Sequence, residues 1–546
     1  AKRGLFVREK APLHKEILKR ERGIYVKSKQ ENMKLRTMTF FPPFLILLAF
    51  VVLSLISQDV FLGVINNINN WIIANLGWAA SILALFIVVV GVWAGFSKFG
   101  NVRIGGEDAK PELSNFAWFT IALTTTMAAG VLFWGPAEPI AHFLYPPTEL
   151  YGVEPMSAEA MKFSMETMFL HWTIVPYCIY AVPAVVFGFM YYNAKKPYSI
   201  ACQLSPLLGE RAYSPRWMQI IDAVTLFAIG AGMAGSVAQA FMNISGGISK
   251  ITGIPSDVRM WLVVAIVLGS VTVATAVSGI QKAMKHVSNI NVYGFAIFLI
   301  FLLLVSNAPF LLNLSTEALG GFAGTFLERI LITGASQDSQ WPQWWTTFYW
   351  FSWMAWAPTS GAFMGRIAYG RKVKTVLGMY VGVCASISAI WMILVSGTAL
   401  WVQKSGLADL CAAYDLGTEN VPYEMLSALP GGKIIIPLFV LLVFLSTVTA
   451  CNSNTIAMAG ISTRGISPDN PEAPIWLKCI WGFVAMAVGY IMIAAVGVNG
   501  VKIIANFGGM FAALIMIGAA GSLAVLIKKH KKFDLTLPEA ERNSED

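Results

Sequence analysis

The chain has 546 residues, of which 56% are hydrophobic and 13% are charged. Soluble globular proteins carry about 25% charged residues, so this composition excludes an ordinary soluble protein. The formal net charge is +9, and the first 40 residues alone hold twelve Lys and Arg against four Asp and Glu. We interpret this arm, residues 1–38, as a basic cytoplasmic segment beside anionic lipid and not as a nucleic-acid-binding segment.

Apolar windows of about 20 residues recur through the chain, and such windows are long enough to cross a membrane as helices. They predict an all-α polytopic membrane protein with twelve transmembrane helices. The predicted spans, in chain order, are Thr39–Ser57, Leu76–Phe96, Asn115–Trp134, Thr167–Tyr192, Trp217–Ile244, Met260–Gly279, Ser288–Leu312, Trp344–Ala368, Thr375–Val402, Ile434–Met458, Trp476–Val496 and Gly500–Ile527.

The loops between these spans differ in charge. Lys and Arg follow the even-numbered spans, for example at Lys195, Lys282 and Arg371, whereas the loops after odd-numbered spans carry few bases. Positive charge marks the cytoplasmic side, so the pattern predicts a chain in the cytoplasmic (inner) membrane with both termini cytoplasmic. The tail after the last span, residues 528–546, is short and has no net charge.

The third span contains small and hydroxylated residues from Thr124 to Gly130, followed by Gly135 and Pro136. This pattern predicts that the span is unwound near Ala128–Gly130. Unwound backbone is tolerated in a membrane where it lines a cavity, and its freed amide groups can receive a carboxylate. A packing face of small residues is the alternative explanation.

The eighth span carries a second predicted interruption at Pro358, five spans after the first. Corresponding breaks in two halves point to an inverted repeat, with residues 115–313 and 344–527 as its two copies. Residues 39–114 then form two peripheral helices outside the repeat. Residues 314–343 are amphipathic and too short to span, which predicts an external interfacial helix.

Aromatic residues cluster near both predicted breaks. Trp353 and Trp356 stand three residues apart in the eighth span, and Trp172, Tyr177 and Tyr180 lie at similar depth in the fourth. Most Trp residues in membrane proteins are interfacial anchors, but these lie well inside their spans. Trp and Tyr faces attract quaternary ammonium groups, so the cluster points to a methylated amine as the ligand.

The tenth span holds several hydroxyl and amide side chains between Ser446 and Thr455. Their oxygens are candidates for a hard-cation site, and hydrogen bonds between helices are the alternative. Glu138, His171 and Asp222 are ionisable within spans, and we expect each to have a structural partner. No catalytic signature occurs in the context that it requires, so the chain is not expected to be an enzyme.

Four segments, Val131–Glu138, Leu170–Tyr180, Gly279–Tyr293 and Trp350–Arg371, resemble the signature segments of the betaine/carnitine/choline transporter family. The resemblance runs through all twelve predicted spans. It implies a LeuT-like fold with a five-plus-five inverted repeat and two extra helices, commonly assembled as a homotrimer in lipid. It also implies secondary active transport of a trimethylammonium zwitterion by alternating access.

The resemblance further implies a site. An aromatic box maps onto Trp172, Tyr177, Tyr180, Trp353 and Trp356. The unwound third span supplies the segment next to the substrate carboxylate and the ion, namely Met127, Ala128, Ala129, Gly130 and Trp134. No cofactor is implied apart from Na⁺ as the coupling ion, for which Met127 and Thr449 are the candidate ligands.

Several positions depart from the family pattern. Ser352 stands where a further Trp is usual, and Tyr177 where Trp is common. Asn291 stands where sodium-independent exchangers have Arg, which favours sodium symport, whereas Ala450 replaces a Ser of sodium-coupled members. A sodium-independent exchanger of carnitine- or betaine-type compounds, and an amino-acid or zwitterion symporter of the same architecture, remain the alternatives.

Overall fold

The computed structural model describes residues 33–126, 129–278, 281–465 and 472–543. Most of the predicted basic arm lies outside these residues, as do Met127 and Ala128 of the predicted unwound stretch. The described residues are almost entirely helical, which confirms an all-α polytopic membrane protein. A two-residue antiparallel pair, β1 (Lys34–Leu35) with β2 (Thr463–Arg464), is the sheet observed in the described ranges.

Ten long helices lie in the first part of the described residues. They are α1 (Thr37–Ile56), α2 (Gln58–Phe96), α3 (Asn115–Thr126), α4 (Ala129–Leu144), α5 (Ala158–Trp172), α6 (Ile174–Tyr192), α7 (Pro215–Thr252), α8 (Val258–Val277), α9 (Gln281–Val305) and α10 (Ala308–Leu331). Shorter helical segments connect them at Lys98–Asn101, Thr148–Tyr151, Ile200–Gln203, Ser205–Leu208 and Gly209–Tyr213.

Five long helices follow. They are α11 (Phe348–Arg366), α12 (Ala385–Ser405), α13 (Gly432–Ile461), α14 (Ile475–Val496) and α15 (Val498–Phe533). Two π-helical turns, Gln343–Thr347 and Gly378–Cys384, precede α11 and α12, the second of them after the short helix Val373–Leu377. The remaining short segments are Leu410–Leu416, Thr418–Asn420, Val421–Ser427 and Glu539–Arg542.

Length and composition identify nine helices in the described residues that can cross a membrane, or eleven if each of two bent pairs counts as one span. The predicted total of twelve and the inverted repeat stay predictions. The predicted eighth span, which corresponds to α11, is not among these helices. Its many Trp, Tyr, Ser and Pro residues make it less apolar than its neighbours.

The third span is divided close to the predicted position, but Ala129 and Gly130, which were predicted to be unwound, begin helix α4. Helices α3 and α4 lie on either side of residues 127–128 and meet at an angle of 56°. The hydroxyls of Thr124, Thr125 and Thr126 donate hydrogen bonds to backbone carbonyls three or four residues earlier in α3. These bonds lie in the part of the helix just before the break. Such back-bonding is known to bend helices.

The second break lies elsewhere than predicted. Helix α11 continues through Pro358, whereas the predicted fourth span, Thr167–Tyr192, divides into α5 and α6 at Thr173, which has φ −115° and ψ −110°. Pro176 lacks an N–H and cannot bond the carbonyl of Trp172 four residues earlier. The Ser388 hydroxyl donates to this carbonyl at 2.7 Å, so packing against α12 satisfies it.

Helix α10 departs from α9 at an angle of 105°. Asn307 caps its first turn by accepting from the Phe310 amide at 3.1 Å, and Pro309 occupies the first turn. Helix α10 packs on α5 and α12 and covers part of residues 314–343, for which an external interfacial position stays a prediction. Arg329 on α10 forms a buried ion pair with Glu166 on α5, which ties the two helices together.

Burial separates a centre from a periphery. In the most apolar window of α5–α6, 94% of the residues are buried, against 22% in α1. Helices α6, α7, α11 and α15 pack on one another in the centre, and α1 packs on α7 from outside. Arg36 bonds Asp222 of α7 at 2.7 Å, which gives Asp222 the structural partner that was expected.

Candidate functional site

Two adjoining cavities lie where α4, α5, α6, α7 and α11 meet. The larger one, here called the central cavity, has two kinds of lining. Its aromatic lining comprises Trp134, Trp172, Tyr180, Phe348, Tyr349, Trp353 and Trp356. Its small or polar lining comprises Thr125, Thr126, Gly130, Gly232, Gly235, Ser236, Gln239 and Ser352. A smaller side cavity shares Trp172, Tyr180 and Trp353 and adds Tyr177 and Ser388.

The aromatic rings on one side form a connected wall, here called the aromatic wall: Trp172, Tyr180, Tyr349 and Trp353. The Trp172 and Trp353 rings meet edge to face with centroids 5.2 Å apart. Tyr180 lies 6.0 Å from Trp353, and Tyr349 lies 5.3 Å from Trp172. Aromatic pairs prefer such edge-to-face arrangements at 4.5–7 Å, so the wall is a packed unit.

The indole N–H groups of Trp172 and Trp353 donate hydrogen bonds to acceptors outside the cavity. The Trp353 indole donates to the carbonyl of His171 at 3.0 Å, next to the break between α5 and α6. The Trp172 indole donates to the Glu138 carboxylate at 2.7 Å. Because each N–H has a partner behind the wall, the apolar faces are left for the cavity.

Glu138 is fully buried and lies behind the aromatic wall. Its carboxylate also accepts from the Tyr349 hydroxyl and contacts His171 Nδ1 at 2.7 Å and His142 Nε2 at 3.2 Å. Glu138, His142 and His171 offer ligand atoms within 4.8 Å of one another, so this trio could hold a metal ion. Direct hydrogen bonds join the same atoms, and these bonds explain why the three side chains lie together without an ion.

The opposite side of the cavity consists of small residues from α4 and α7. A Cβ at Gly130 would lie 3.1 Å from Oε1 of Gln239 and 3.6 Å from Cη2 of Trp172. A Cβ at Gly232 would lie 3.0 Å from Nε1 of Trp356. The absence of side chains at these positions leaves the cavity open between α4, α7 and α11.

The predicted substrate residues with described side chains all lie at these cavities. Trp172, Tyr180 and Trp353 line both of them, Tyr177 lines the side cavity, and the central cavity adds the predicted Gly130, Trp134 and Trp356. Ala129 opens α4, while Met127 and Ala128 lie outside the described residues. Their assigned roles in binding stay predictions.

Sequence reasoning missed several lining residues, among them Ser236, Gln239, Phe348 and Tyr349. Tyr349 lies one turn before Trp353 on the same face, so helical spacing could have found it. Gln239 stands in an apolar stretch of α7, and its Oε1 is buried without a described partner. An amide in such a stretch is the signal that could have identified Gln239.

The candidate sodium ligand Thr449 lies on α13 and is partly buried. Its hydroxyl donates to the Leu445 carbonyl at 2.8 Å, so the lone pairs of the oxygen remain for a cation. On the same helix, Ser446 Oγ is buried without a partner in the described ranges. Two such oxygens suit a hard cation. Met127, the other candidate sodium ligand, lies outside the described residues.

Charge is absent from both linings: none of the described lining residues is acidic or basic. A ligand cation therefore has no carboxylate to pair with inside the cavities. Faces of Trp and Tyr attract a cation without a charged partner, and they do so best for ammonium groups that carry methyl groups and few N–H donors. The geometry is suited to a small, bulky-headed cation.

Comparison with known proteins places the chain among transporters. The family profile "BCCT, betaine/carnitine/choline family transporter" matches residues 38–532. A "Probable glycine betaine transporter" of Desulfitobacterium hafniense is 30% identical over 459 residues, which cover 84% of this chain and 90% of the relative. An "Ectoine/hydroxyectoine transporter" of Virgibacillus pantothenticus is 26% identical, with the same two coverages.

A third relative, a "Glycine betaine transporter" of Acinetobacter baylyi, is 25% identical and covers 85% of this chain and 69% of its own length. Among solved structures, a manganese transporter of Eremococcus coleocola superposes with a TM-score of 0.46 at 11% identity, over 81% of this chain and 87% of the other. Similarity at that level carries no argument about the site.

Proposed function

This chain belongs to the betaine/carnitine/choline transporter family, and from that premise we propose that it carries a trimethylammonium zwitterion across the cell membrane by alternating access. Relatives named for glycine betaine and choline support this substrate class. The family consists of transporters, which confirms that the chain is not an enzyme. The observation that carries the proposal is the central cavity, with its aromatic wall and uncharged lining.

The two ends of such a substrate have different needs. The ammonium end, which offers no N–H donor, fits the aromatic wall of Trp172, Tyr180, Tyr349 and Trp353 through cation–π attraction. The carboxylate end needs donors, which the free amide groups in the first turn of α4, at Ala129 and Gly130, can provide. A substrate with both groups therefore uses both sides of the cavity.

A thermal-shift panel on the purified protein tests the substrate class, because a ligand that binds the folded state raises its melting temperature. The compounds are glycine betaine, carnitine, choline, butyrobetaine and proline betaine, each with and without sodium. We expect betaine or carnitine to stabilise most and choline, which lacks the carboxylate, to stabilise much less. Choline binding as tight as betaine would restrict the recognised group to the ammonium alone.

The main competing function is transport of amino acids or related zwitterions with primary or secondary amines. Stabilisation by proline or ectoine equal to that by betaine would favour this reading, for which the ectoine-named relative and the unpartnered Gln239 amide are the supporting observations. An N–H donor on the ligand could bond the Gln239 oxygen, which trimethylammonium cannot do.

We further propose that transport is coupled to sodium, with Thr449 and the Met127 backbone as ligands. Support comes from the available lone pairs of Thr449 and from Asn291 at the position where sodium-independent exchangers have Arg. Uptake into proteoliposomes driven by sodium but not by potassium is the expected result. Equal uptake in the two salts would favour exchange instead. We also expect a homotrimer with cytoplasmic termini.

A further inference from the structure

Two buried charges lie behind the rings of the central cavity, and they lie behind different rings. We propose that Glu138 and Lys502 act through these rings as positioning residues that orient the zwitterion, Glu138 selecting the ammonium end and Lys502 the carboxylate end. The inference rests on the proposed function, and it adds two residues that do not themselves line the cavity.

Glu138 reaches the cavity through two members of the aromatic wall. One carboxylate oxygen, Oε2, accepts both the Trp172 indole N–H, at 2.7 Å, and the Tyr349 hydroxyl. The Trp172 N–H can only donate, so this oxygen is an acceptor. The other oxygen faces His171 and His142. The carboxylate thus lies at the edges of two rings whose faces line the cavity.

An aromatic ring has a negative face and a positive edge. An anion bound at the edge holds the ring in place and raises the electron density over its face. It also adds direct attraction for a cation on the other side of the ring, in surroundings where charges are poorly screened. Trp172 and Tyr349 are therefore the rings of the cavity that best accept an ammonium group.

The hydrogen bonds of His171 indicate that it is neutral and therefore does not cancel the negative charge of Glu138. Its Nδ1 faces Glu138, while its Nε2 lies 3.2 Å from the Thr346 hydroxyl, which can donate to it. A histidine that donates from one nitrogen and accepts at the other is neutral. His142 contacts the same carboxylate through Nε2 only, and its Nδ1 is buried without a described partner, so a neutral His142 that donates from Nε2 suffices there. With both histidines neutral, the negative charge of Glu138 remains effective at the aromatic wall.

Lys502 of α15 lies behind the neighbouring rings. Its Nζ is 3.4 Å from the centroid of Trp345, 5.6 Å from Trp134 and 5.8 Å from Phe348. Trp134 and Phe348 line the central cavity. No ion pair within 4.0 Å joins Lys502 to a carboxylate in the described part of the chain, and Glu138 attracts it only over a longer distance. These rings already face a cation, so a second cation is repelled from them and an anion is attracted.

The charge behind the cavity lining changes from positive to negative over a short distance. Phe348 and Tyr349 are consecutive, with ring centroids 4.8 Å apart, yet Lys502 lies by the first and Glu138 by the second. Trp134 also has a buried indole N–H without a described partner, a donor that a carboxylate could use. A zwitterion in this field is favoured with its ammonium group at Trp172 and Tyr349 and its carboxylate towards Trp134.

The test compares glycine betaine with tert-butylacetate, which has the same shape and carboxylate but carbon in place of the charged nitrogen. Dissociation constants are measured on the purified full-length protein for wild type and Glu138→Gln. We expect betaine to bind about tenfold more weakly to the variant and tert-butylacetate to bind as tightly as before. Equal losses for both compounds, or no loss for either, would overturn the proposal.

A second substitution covers the case in which Glu138→Gln does not fold. Tyr349→Phe keeps the ring and the carboxylate and removes one hydrogen bond between them. It should weaken betaine about threefold without changing tert-butylacetate. Parallel changes for the two compounds would mean that the contact with Glu138 only supports the packing, and that result too would overturn the proposal.

Lys502→Met tests the other end. It removes the positive charge and keeps most of the apolar stem, so betaine should bind about fivefold more weakly while choline, which lacks a carboxylate, should not change or should bind better. A variant that weakens choline as much as betaine would remove Lys502 from the orienting role.

Glu166→Gln is the matched control, because Glu166 is a buried carboxylate on α5 whose contacts are Arg329 and Lys162 and not rings of the cavity. It should leave the ratio of the betaine and tert-butylacetate affinities at the wild-type value. Wild-type protein that binds no trimethylammonium compound would refute the proposed function itself. A wild type that binds betaine while Glu138→Gln leaves the ratio unchanged would refute only the orienting role.

Discussion

The two sides of the central cavity are built on opposite principles. On the aromatic side, large rings are held by hydrogen bonds at their edges, as Glu138 holds Trp172 and the His171 carbonyl holds Trp353. On the other side, Gly130 and Gly232 leave out side chains altogether, and the space that they leave is the cavity.

This difference indicates how each side fails. A substitution that removes an aromatic face removes one attractive interaction with the ligand. On the aromatic side we therefore expect substitutions to weaken binding by degrees. A glycine that gains a side chain fills the cavity, because packed interiors have no spare volume to absorb it. Three substitutions probe this contrast and one probes the proposed ion site, and they are ordered by the expected size of their effect on transport or binding.

Gly130→Leu should abolish transport while the protein still inserts and folds. The first atom of the new side chain would meet Gln239 at 3.1 Å and Trp172 at 3.6 Å, and the rest of it would occupy the cavity. Proteoliposome uptake, with detergent-extracted yield and melting temperature as folding measurements, checks this. Uptake at the normal rate would mean that this stretch is a packing face outside the transport path.

Gly63→Leu is the matched control for that substitution. Gly63 is also helical, and a Cβ there would meet nothing within 4 Å, so transport and folding should both be retained. Loss of activity in this control would show that any large residue in a span is harmful, and the contrast between the two sides of the cavity would then lose its support.

Trp356→Leu removes a π face and keeps bulk, so it should weaken binding of a trimethylammonium ligand by about 0.5–2 kcal/mol. Trp356 lies where the two sides meet, next to Gly232. Equilibrium binding to the folded variant gives the value, and Trp353→Leu provides the comparison from within the aromatic wall. Unchanged affinity in Trp356→Leu would remove this residue from the ammonium site.

Thr449→Ala addresses the proposed ion. Removal of one hydroxyl ligand should raise the sodium concentration needed for half-maximal uptake more than it weakens substrate binding at saturating sodium. Uptake measured over a sodium series at fixed substrate, and over a substrate series at fixed sodium, separates the two effects. A variant with an unaltered sodium series would exclude Thr449 as a ligand.

Ser388→Ala tests what holds the aromatic side in place. Its hydroxyl satisfies the Trp172 carbonyl that Pro176 leaves free, and an unsatisfied buried carbonyl costs about 1–3 kcal/mol. We expect a lower melting temperature and a small loss of affinity, because the break next to Trp172 loosens. Ser278→Ala is a suitable control, since this hydroxyl is exposed and donates to the Thr275 carbonyl at the end of α8.

Sequence patterns predicted much of this molecule because their signals are local. Runs of apolar residues identified the membrane helices, and the small residues around Gly130 located the break between α3 and α4. The aromatic candidates Trp172 and Trp353 meet at the cavity because each lies at the depth that its span position implies. Tyr349 follows the same helical spacing and was nevertheless missed.

Local sequence patterns did not predict the position of the second break. Pro176 and Pro358 are two of the prolines that lie inside predicted spans, and each removes one backbone N–H. Helix α11 remains regular around Pro358, whereas the chain breaks at Thr173 near Pro176. The carbonyl that Pro176 leaves free is satisfied by Ser388 of α12, a contact between helices that the local sequence does not reveal.

The helical membrane class, the family and the residue types that suit a quaternary ammonium ligand could be predicted from the sequence, because these depend on composition and on short motifs. The positions of Glu138 at Trp172 and Tyr349, and of Lys502 at Trp134 and Phe348, could be seen only in the folded structure. Glu138 and Lys502 are more than three hundred residues apart in the chain. Their shared cavity exists because α4, α5, α11 and α15 pack together, and no local pattern encodes that packing.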